Sequence, residues 1–260
     1  MIDLGIDPNL TLGPFSTTWS SFLTLVAVVL GTVIAVRLTR GEWLARYGEG
    51  QGDAHLYAVA VASITAGLVG SRLFHVVDFW PVYAGDLVRI LDISTGRAVM
   101  GAITGGAIGG IVALRVRGLP VGAALDSAAL ALPFAMAVER IGDLISGERW
   151  SAACSGLPWC VRYTSPLTLG QSTYVHPVAG YELLADLLIG AMLVALARRR
   201  GIRGDGALMC AFLILYGAVR FFDSFLRLDA PKWGPLELAQ WFAIAFVIVG
   251  VAGLARSPRT

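Results

Sequence analysis

Three arginines, Arg72, Arg140 and Arg220, lie within long apolar stretches of the sequence. A charge inside such a stretch is expensive to desolvate, so it normally faces a partner or a wet cavity and marks a functional site. The guanidinium fork matches the oxygens of a phosphate diester. Each arginine could instead pair with a helix neighbour, as the i,i+3 spacing of Arg220 and Asp223 allows. Because there are three of them, we favour a site for an anionic phosphate group.

Other polar and small residues accompany these arginines. Tyr216 precedes Arg220 by four residues, so both could touch one ligand, although an interfacial aromatic anchor is the alternative. Tyr181-Glu182 is interpreted as support for an arginine in preference to a part in the chemistry. Gly105-Gly106 permits close backbone approach, either to lipid or to a packed helix, and helix packing is favoured.

The elements that must position these residues are membrane spans. The chain has 260 residues, of which 56% are hydrophobic and 15% charged, with a mean hydropathy of +0.71. Soluble domains are nearer a quarter charged. Apolar runs of roughly 20 residues can cross a bilayer, which predicts an all-α integral membrane protein, a single transmembrane domain over residues 1–260. Seven spans are predicted, at about 20–38, 54–78, 97–114, 121–146, 178–197, 206–226 and 234–255.

Basic residues predict the orientation of these spans. One set of loops and the C-terminal tail hold eleven arginines, whereas the opposite loops hold six basic residues. The positive-inside rule then places the N-terminus outside and the C-terminus in the cytoplasm. In this orientation the three arginines and their companions from five spans share one depth, near the outer face. The net charge of only +2 gives no sign of nucleic-acid binding.

Two segments between spans are long. Residues 147–177, rich in Gly, Pro, Ser and Thr, are predicted to form a small extracytoplasmic lobe, and residues 79–96 a loop that is partly re-entrant. Cys154 and Cys160 lie in the first of these segments. A disulfide fits an oxidising compartment, whereas zinc lacks further ligands nearby and a nucleophile lacks an evident base.

The chain resembles the bacterial prolipoprotein diacylglyceryl transferases. The family signature is similar to Arg140-Ile141-Gly142-Asp143-Leu144-Ile145-Ser146-Gly147-Glu148. Further blocks resemble the family in the same order: Gly70-Ser71-Arg72-Leu73, Thr104-Gly105-Gly106, Trp150, Gly156-Leu157-Pro158-Trp159, His176-Pro177, Tyr181-Glu182 and Tyr216-Gly217 with Arg220-Phe221-Phe222. These blocks cover most of residues 70–227.

The resemblance implies transfer of diacylglyceryl from phosphatidylglycerol, or another anionic phospholipid, to the lipobox cysteine of a preprolipoprotein. It implies a multi-pass protein of the bacterial cytoplasmic membrane that needs no metal or cofactor. We expect Arg140, Arg220 and Tyr216 to be catalytic. The expected substrate-binding residues are Arg72, Thr104, Gly105, Gly106, Asp143, Gly147, Glu148, Tyr181 and Glu182.

The chain departs from the family pattern at several positions. Thr104 stands where the family has a histidine, Asp143 where it has an asparagine, and Ser151 where it has a glycine. Asp143 adds a negative charge close to an anionic ligand. Our first hypothesis is a membrane lipid-group transferase of the diacylglyceryl transferase type, whose acceptor is either the family's lipobox cysteine or an altered one. A catalytically impaired relative that binds phospholipid or lipoprotein as an accessory protein is the alternative, and a small-solute transporter is a weaker third.

Overall fold

The computed structural model describes residues 1–13, 15–47, 51–78, 80–91, 99–200, 204–228 and 232–256. Its α-helices are α1 (Trp19–Tyr47), α2 (Gln51–Asp78), α3 (Trp80–Tyr83), α4 (Val99–Val116), α5 (Val121–Ser146), α6 (Val178–Arg200), α7 (Ala207–Asp223) and α8 (Leu238–Arg256). Its strands are β1 (Ile2–Leu4), β2 (Asn9–Leu12), β3 (Phe15–Thr18), β4 (Val161–Tyr163), β5 (Lys232–Trp233) and β6 (Leu236–Glu237). Short 3-10 helices cover Leu87–Leu91 and Ser224–Leu226.

The predicted all-α membrane fold is confirmed. Within the described ranges, six helices are long and apolar enough to cross a bilayer, and the apolar part of α4, Thr104–Val116, is shorter. Many large apolar side chains on these helices are exposed, among them Leu25, Val61, Ile108, Leu184 and Ile248. Lipid can cover such surface, which a soluble protein would bury.

The helix boundaries follow the predicted spans, with one larger difference. α1 continues to Tyr47, beyond the predicted end at 38, because a helical backbone does not stop where hydropathy falls. α5 contains Pro133 and matches its predicted span. Residues 79–96 contain the short helix α3 and a 3-10 turn. Residues 92–98 lie outside the described part of the chain, as do Arg97, Arg203 and Arg259 of the orientation argument. The orientation itself stays a prediction.

The chain divides into two compact units. The first, which we call the composite unit, comprises Met1–Ala35 and Gly122–Thr260. Its apolar core joins α5, α6 and α7 through Ala129, Leu130, Ile189, Leu193, Leu208 and Phe212. The buried Asp126 carboxylate on α5 accepts hydrogen bonds from the backbone N–H groups of Gly206 (3.1 Å), Leu208 (2.9 Å) and Met209 (3.3 Å), which caps α7.

Residues 147–177 fold into a small lobe of the composite unit. β4 pairs in parallel with β1, in the register Ile2↔Val161 to Leu4↔Tyr163. A disulfide joins Cys154 to Cys160, whose Cα atoms are 5.7 Å apart, so the interpretation of this pair as a disulfide is confirmed. Sequence analysis missed the contribution of the N-terminal strand, because three residues carry too weak a pattern to predict a strand.

The second unit, which we call the hairpin unit, comprises Val36–Val121. α2 packs along α4 through glycines on both helices. A Cβ placed on Gly105 would come within 3.1 Å of the Gly70 Cα and closer still to the Ala66 carbonyl oxygen, and one on Gly106 would lie 3.3 Å from the Ser63 carbonyl oxygen. The structure therefore uses these glycines for helix packing, the favoured sequence interpretation.

Candidate active site

Glu182, near the start of α6, joins two of the three predicted arginines. The Arg220 Nη1 atom donates to Glu182 Oε1 at 2.7 Å, and Arg140 Nε lies 2.9 Å from Glu182 Oε2. The side chains of Arg140 and Glu182 are buried, with 8% and 5% of their surfaces exposed. Arg140 and Arg220 therefore meet from α5 and α7 around one carboxylate on α6.

Both arginines also contact carboxylates on their own helices. Arg220 Nη1 lies 3.1 Å from Asp223 Oδ2, the helix pairing that its i,i+3 spacing allows. Arg140 Nη1 lies 2.9 Å from Asp143 Oδ2 and 3.3 Å from Glu139 Oε2. Every hydrogen bond that Arg140 or Arg220 donates to a described side chain comes from Nη1. Nη2 on either guanidinium donates no hydrogen bond to a described residue.

A narrow cavity opens beside this cluster. It is lined by Arg140, Glu182, Asp186, Tyr216, Val219, Arg220 and Asp223. The space open to the centre of a water molecule is about 10 Å³, room for roughly one water. A cavity of this size is too small for a lipid headgroup.

The two predicted tyrosines lie in different surroundings. Tyr216 lines the cavity and stacks on Phe212, with ring centroids 5.5 Å apart. Tyr216 is thus partly buried against the apolar core of the composite unit. Tyr181 lies next to Glu182 in sequence, but its hydroxyl accepts from Trp159 Nε1 at 2.9 Å and contacts His176 Nδ1 at 3.1 Å. Tyr181 thereby ties α6 to the lobe.

Gly147 and Glu148 follow Ser146, the last residue of α5. Gly147 has a φ of +70°, which suits glycine, and an added Cβ would lie 2.6 Å from the Gly170 Cα. The Glu148 Oε2 atom accepts from Ser20 Oγ at 3.4 Å. Burial raises the pKa of the Glu148 carboxyl above its ordinary value, and the neighbouring Asp143 carboxylate adds to this shift.

Arg72, Thr104 and the Gly105-Gly106 pair belong to the hairpin unit. Arg72 is buried there, and its Nε donates to the Ile90 carbonyl at 2.9 Å and its Nη2 to the Arg89 carbonyl at 2.5 Å. Thr104 Oγ1 donates to the Gly101 carbonyl at 3.4 Å. Their convergence with Arg140 and Arg220 stays a prediction.

Sequence analysis did not assign Arg149 and Asp186 to the site. Arg149 counted only as a loop charge, yet its Nε and Nη2 donate to Asp143 Oδ2 at 2.9 and 2.6 Å. Asp186 lines the cavity, and its Oδ2 atom makes no hydrogen bond to any described residue. The i,i+4 spacing from Glu182 to Asp186 signals a shared helix face.

Comparison with known proteins identifies the family of this chain. The profile of the prolipoprotein diacylglyceryl transferase family matches residues 9–256. A phosphatidylglycerol–prolipoprotein diacylglyceryl transferase of Clostridioides difficile is 29% identical over 93% of this chain and 91% of its own length. One from Synechocystis is 32% identical over 94% and 86%, and one from Streptomyces coelicolor 31% over 96% and 72%. The match covers nearly the whole chain, and the matched region includes the buried arginines. This chain therefore belongs to the prolipoprotein diacylglyceryl transferase family.

Proposed function

We propose that this protein transfers the diacylglyceryl group of phosphatidylglycerol to the cysteine thiol of a prolipoprotein in the bacterial cytoplasmic membrane. The observation that carries the proposal is the meeting of Arg140 and Arg220 around Glu182 inside a membrane-spanning bundle. Relatives that cover most of this chain are named for this reaction. The accessory-protein alternative is not favoured, because no contact of the site supports it over transfer.

The reaction replaces a C–O bond at one glyceryl carbon with a C–S bond. The thiolate sulfur of the acceptor attacks the glyceryl carbon that carries the phosphate, a C–S bond forms, and the C–O bond to the phosphate breaks. The bonding electrons leave with the phosphate oxygen, so the products are a thioether and glycerol phosphate. The thiol must lose its proton first, since the thiolate is the nucleophile.

Negative charge grows on the phosphate oxygen as the C–O bond breaks. Arg140 and Arg220 supply fixed guanidinium groups in a site shielded from water, where such stabilisation is strong. The Nη2 groups left over from their carboxylate contacts are the donors we assign to the phosphate. The Tyr216 hydroxyl group, which belongs to a residue lining the same cavity, is assigned as a further donor.

Glu182 positions the two arginines in this proposal. It holds one nitrogen of each guanidinium, which fixes their spacing before substrate arrives. The cavity must widen to admit a headgroup, because its present volume suits one water. Substrate phosphate then competes with the acidic side chains for the arginines.

Two of the three altered family positions, Asp143 and Ser151, make contacts that are compatible with transfer. Asp143 is paired with two arginines, so its charge does not stand alone in the site. Ser151 is buried, and its N–H donates to Gln171 Oε1 at 2.7 Å, a structural contact within the lobe.

The direct test uses the purified protein in nanodiscs that contain labelled phosphatidylglycerol, with a lipobox peptide as acceptor. We expect a thioether-linked diacylglyceryl peptide and free glycerol phosphate. Arg220→Ala should lower the transfer rate by roughly 100- to 1,000-fold, as loss of a charge-stabilising donor does. Arg220→Lys should rescue poorly because it lacks the fork. Arg162→Ala, at an exposed ion pair, is the control. Lipid bound without turnover by the unaltered protein would contradict the proposal.

A further inference from the structure

Arg149 reaches the arginine cluster by turning back on the helix that precedes it. α5 ends at Ser146, and Gly147 adopts a left-handed conformation with φ +70°. This turn reverses the chain, so the side chain of Arg149 points back to Asp143, six residues earlier. A side chain at position 147 would meet the Gly170 backbone, which leaves glycine as the residue that permits the turn.

Asp143 is saturated with guanidinium donors. Its Oδ2 atom accepts from Arg149 Nε at 2.9 Å, Arg149 Nη2 at 2.6 Å and Arg140 Nη1 at 2.9 Å. Its Oδ1 atom accepts from Ser20 Oγ at 3.5 Å. The Asp143 side chain is only 4% exposed. Within the described ranges, Arg149 pairs with no carboxylate other than Asp143.

The cluster as a whole has more carboxylates than guanidinium groups. In the described part of the chain, five carboxylates (Glu139, Asp143, Glu182, Asp186 and Asp223) lie within 4 Å of four guanidinium groups (Arg140, Arg149, Arg220 and Arg227). Arg140 alone faces four of these carboxylates. An anionic headgroup is repelled by any carboxylate that has no guanidinium group paired with it. The binding of the headgroup therefore depends on which guanidinium group pairs with which carboxylate.

We propose that Arg149 is a positioning residue that neutralises Asp143 and thereby leaves the charge of Arg140 available to the lipid phosphate. The inference rests on the proposed function, since it assigns Arg149 a part in recognition of the anionic donor lipid. Without Arg149, Asp143 draws on Arg140 alone, and three guanidinium groups face five carboxylates. The phosphate then meets a site with a larger excess of negative charge.

The central experiment is a double-mutant cycle on Arg149 and Asp143. Arg149→Leu should raise KM for phosphatidylglycerol by roughly tenfold or more, because it leaves a buried carboxylate without its own cation. Asp143→Asn in the Arg149→Leu background removes that carboxylate and should bring KM back to within roughly threefold of the unaltered protein. Inhibition by free glycerol phosphate should weaken in Arg149→Leu and recover in the double variant, in parallel with KM.

The KM reading separates this role from a structural one. A residue that only holds the fold lowers the active fraction, and so kcat, at an unchanged KM. Arg149→Lys keeps the charge without the fork, and KM should fall between the unaltered protein and Arg149→Leu. Arg162→Leu is the matched control: Arg162 makes the same two-nitrogen contact with Asp3 at an exposed site, and KM should not change.

Two results would overturn the inference: an Arg149→Leu variant whose KM is unchanged, or a double variant with no recovery of KM. If Arg149→Leu does not fold, two other variants still decide the question. They are the double variant, which has no unpaired charge, and Arg149→Lys. Absence of transfer by the unaltered protein would refute the proposed function alone. In that case the role of Arg149 is tested independently by the binding of glycerol phosphate. This binding is measured as the rise in melting temperature that glycerol phosphate causes in each variant.

Discussion

In the composite unit, α5, α6 and α7 meet through an apolar core and around buried carboxylates and guanidinium groups, whereas in the hairpin unit α2 and α4 meet through glycine backbones. The first contact includes the ion pairs of Glu182 with Arg140 at 2.9 Å and with Arg220 at 2.7 Å. The second contact brings the Gly70 and Gly105 backbones so close that a Cβ on either would collide with the other helix. Lipid gives helices little hydrophobic reason to associate, so both units rely on specific contacts.

The difference between the contacts lies in what each can do besides hold helices together. A glycine contact works through shape alone and offers no donor to a ligand. A cluster of ion pairs can exchange a carboxylate for a phosphate, because both are anions that accept from the same guanidinium fork. The stability of the composite unit should therefore depend on charge, and the stability of the hairpin unit should depend on side-chain volume.

The largest effect is expected from Glu182→Ala. It removes the carboxylate shared by Arg140 and Arg220 and leaves buried guanidinium groups without it, which should lower the free energy of unfolding by about 3–5 kcal/mol. Denaturation in bicelles measures the change. Asp3→Ala, at an exposed ion pair, should change little. Equal effects of the two variants would show that burial of the charges does not govern this unit.

A smaller effect is expected from Gly105→Ala. The new methyl group collides with the backbone of α2, so we expect a loss of about 1–3 kcal/mol even though alanine favours helices. The same denaturation experiment measures it. Gly85→Ala is the control within the hairpin unit, since nothing lies within 4 Å of a Cβ at that position. If Gly105→Ala is as stable as this control, close backbone packing does not hold α2 to α4.

The smallest effect is a pH dependence in the lobe. Hydrogen bonds from Arg162 and Tyr174 hold the pKa of the Asp3 carboxyl below its ordinary value. The stabilisation is therefore complete above the unfolded pKa of about 4 and is lost as the pH falls through the lower, folded pKa. The denaturation midpoint should drop less steeply on acidification in Arg162→Leu. An unchanged acid profile would show that the pair does not stabilise β1 against β4.

The helices were predictable from local properties of the chain. The predicted span 121–146 coincides with α5, and 206–226 matches α7 with its following 3-10 turn. Hydropathy predicts these elements because each apolar run must cross the same hydrocarbon thickness. Helix spacing likewise allowed the Arg220–Asp223 pair, the alternative considered for this arginine, and the structure contains that pair.

Contacts between elements distant in sequence were not predictable in the same way. Glu182 was expected to support an arginine, but its simultaneous contact with Arg140 and Arg220 depends on the packing of three helices. Arg149 appeared in the sequence only as one basic residue of a long segment. Its contact with Asp143 requires the left-handed turn at Gly147, which composition does not reveal.

Hydropathy and residue identity were enough to predict the membrane class, the approximate limits of the long helices, the family resemblance, and the arginines whose chemistry suits a phosphate. These features follow from hydropathy and from residue identity, which are local. Tertiary structure alone decided which carboxylate each guanidinium meets, and it placed Arg149 on Asp143 and Tyr216 beside the cavity. Such pairings depend on distances across helices, and in a medium of low polarity each buried charge is stabilised only by the partners that packing brings within reach.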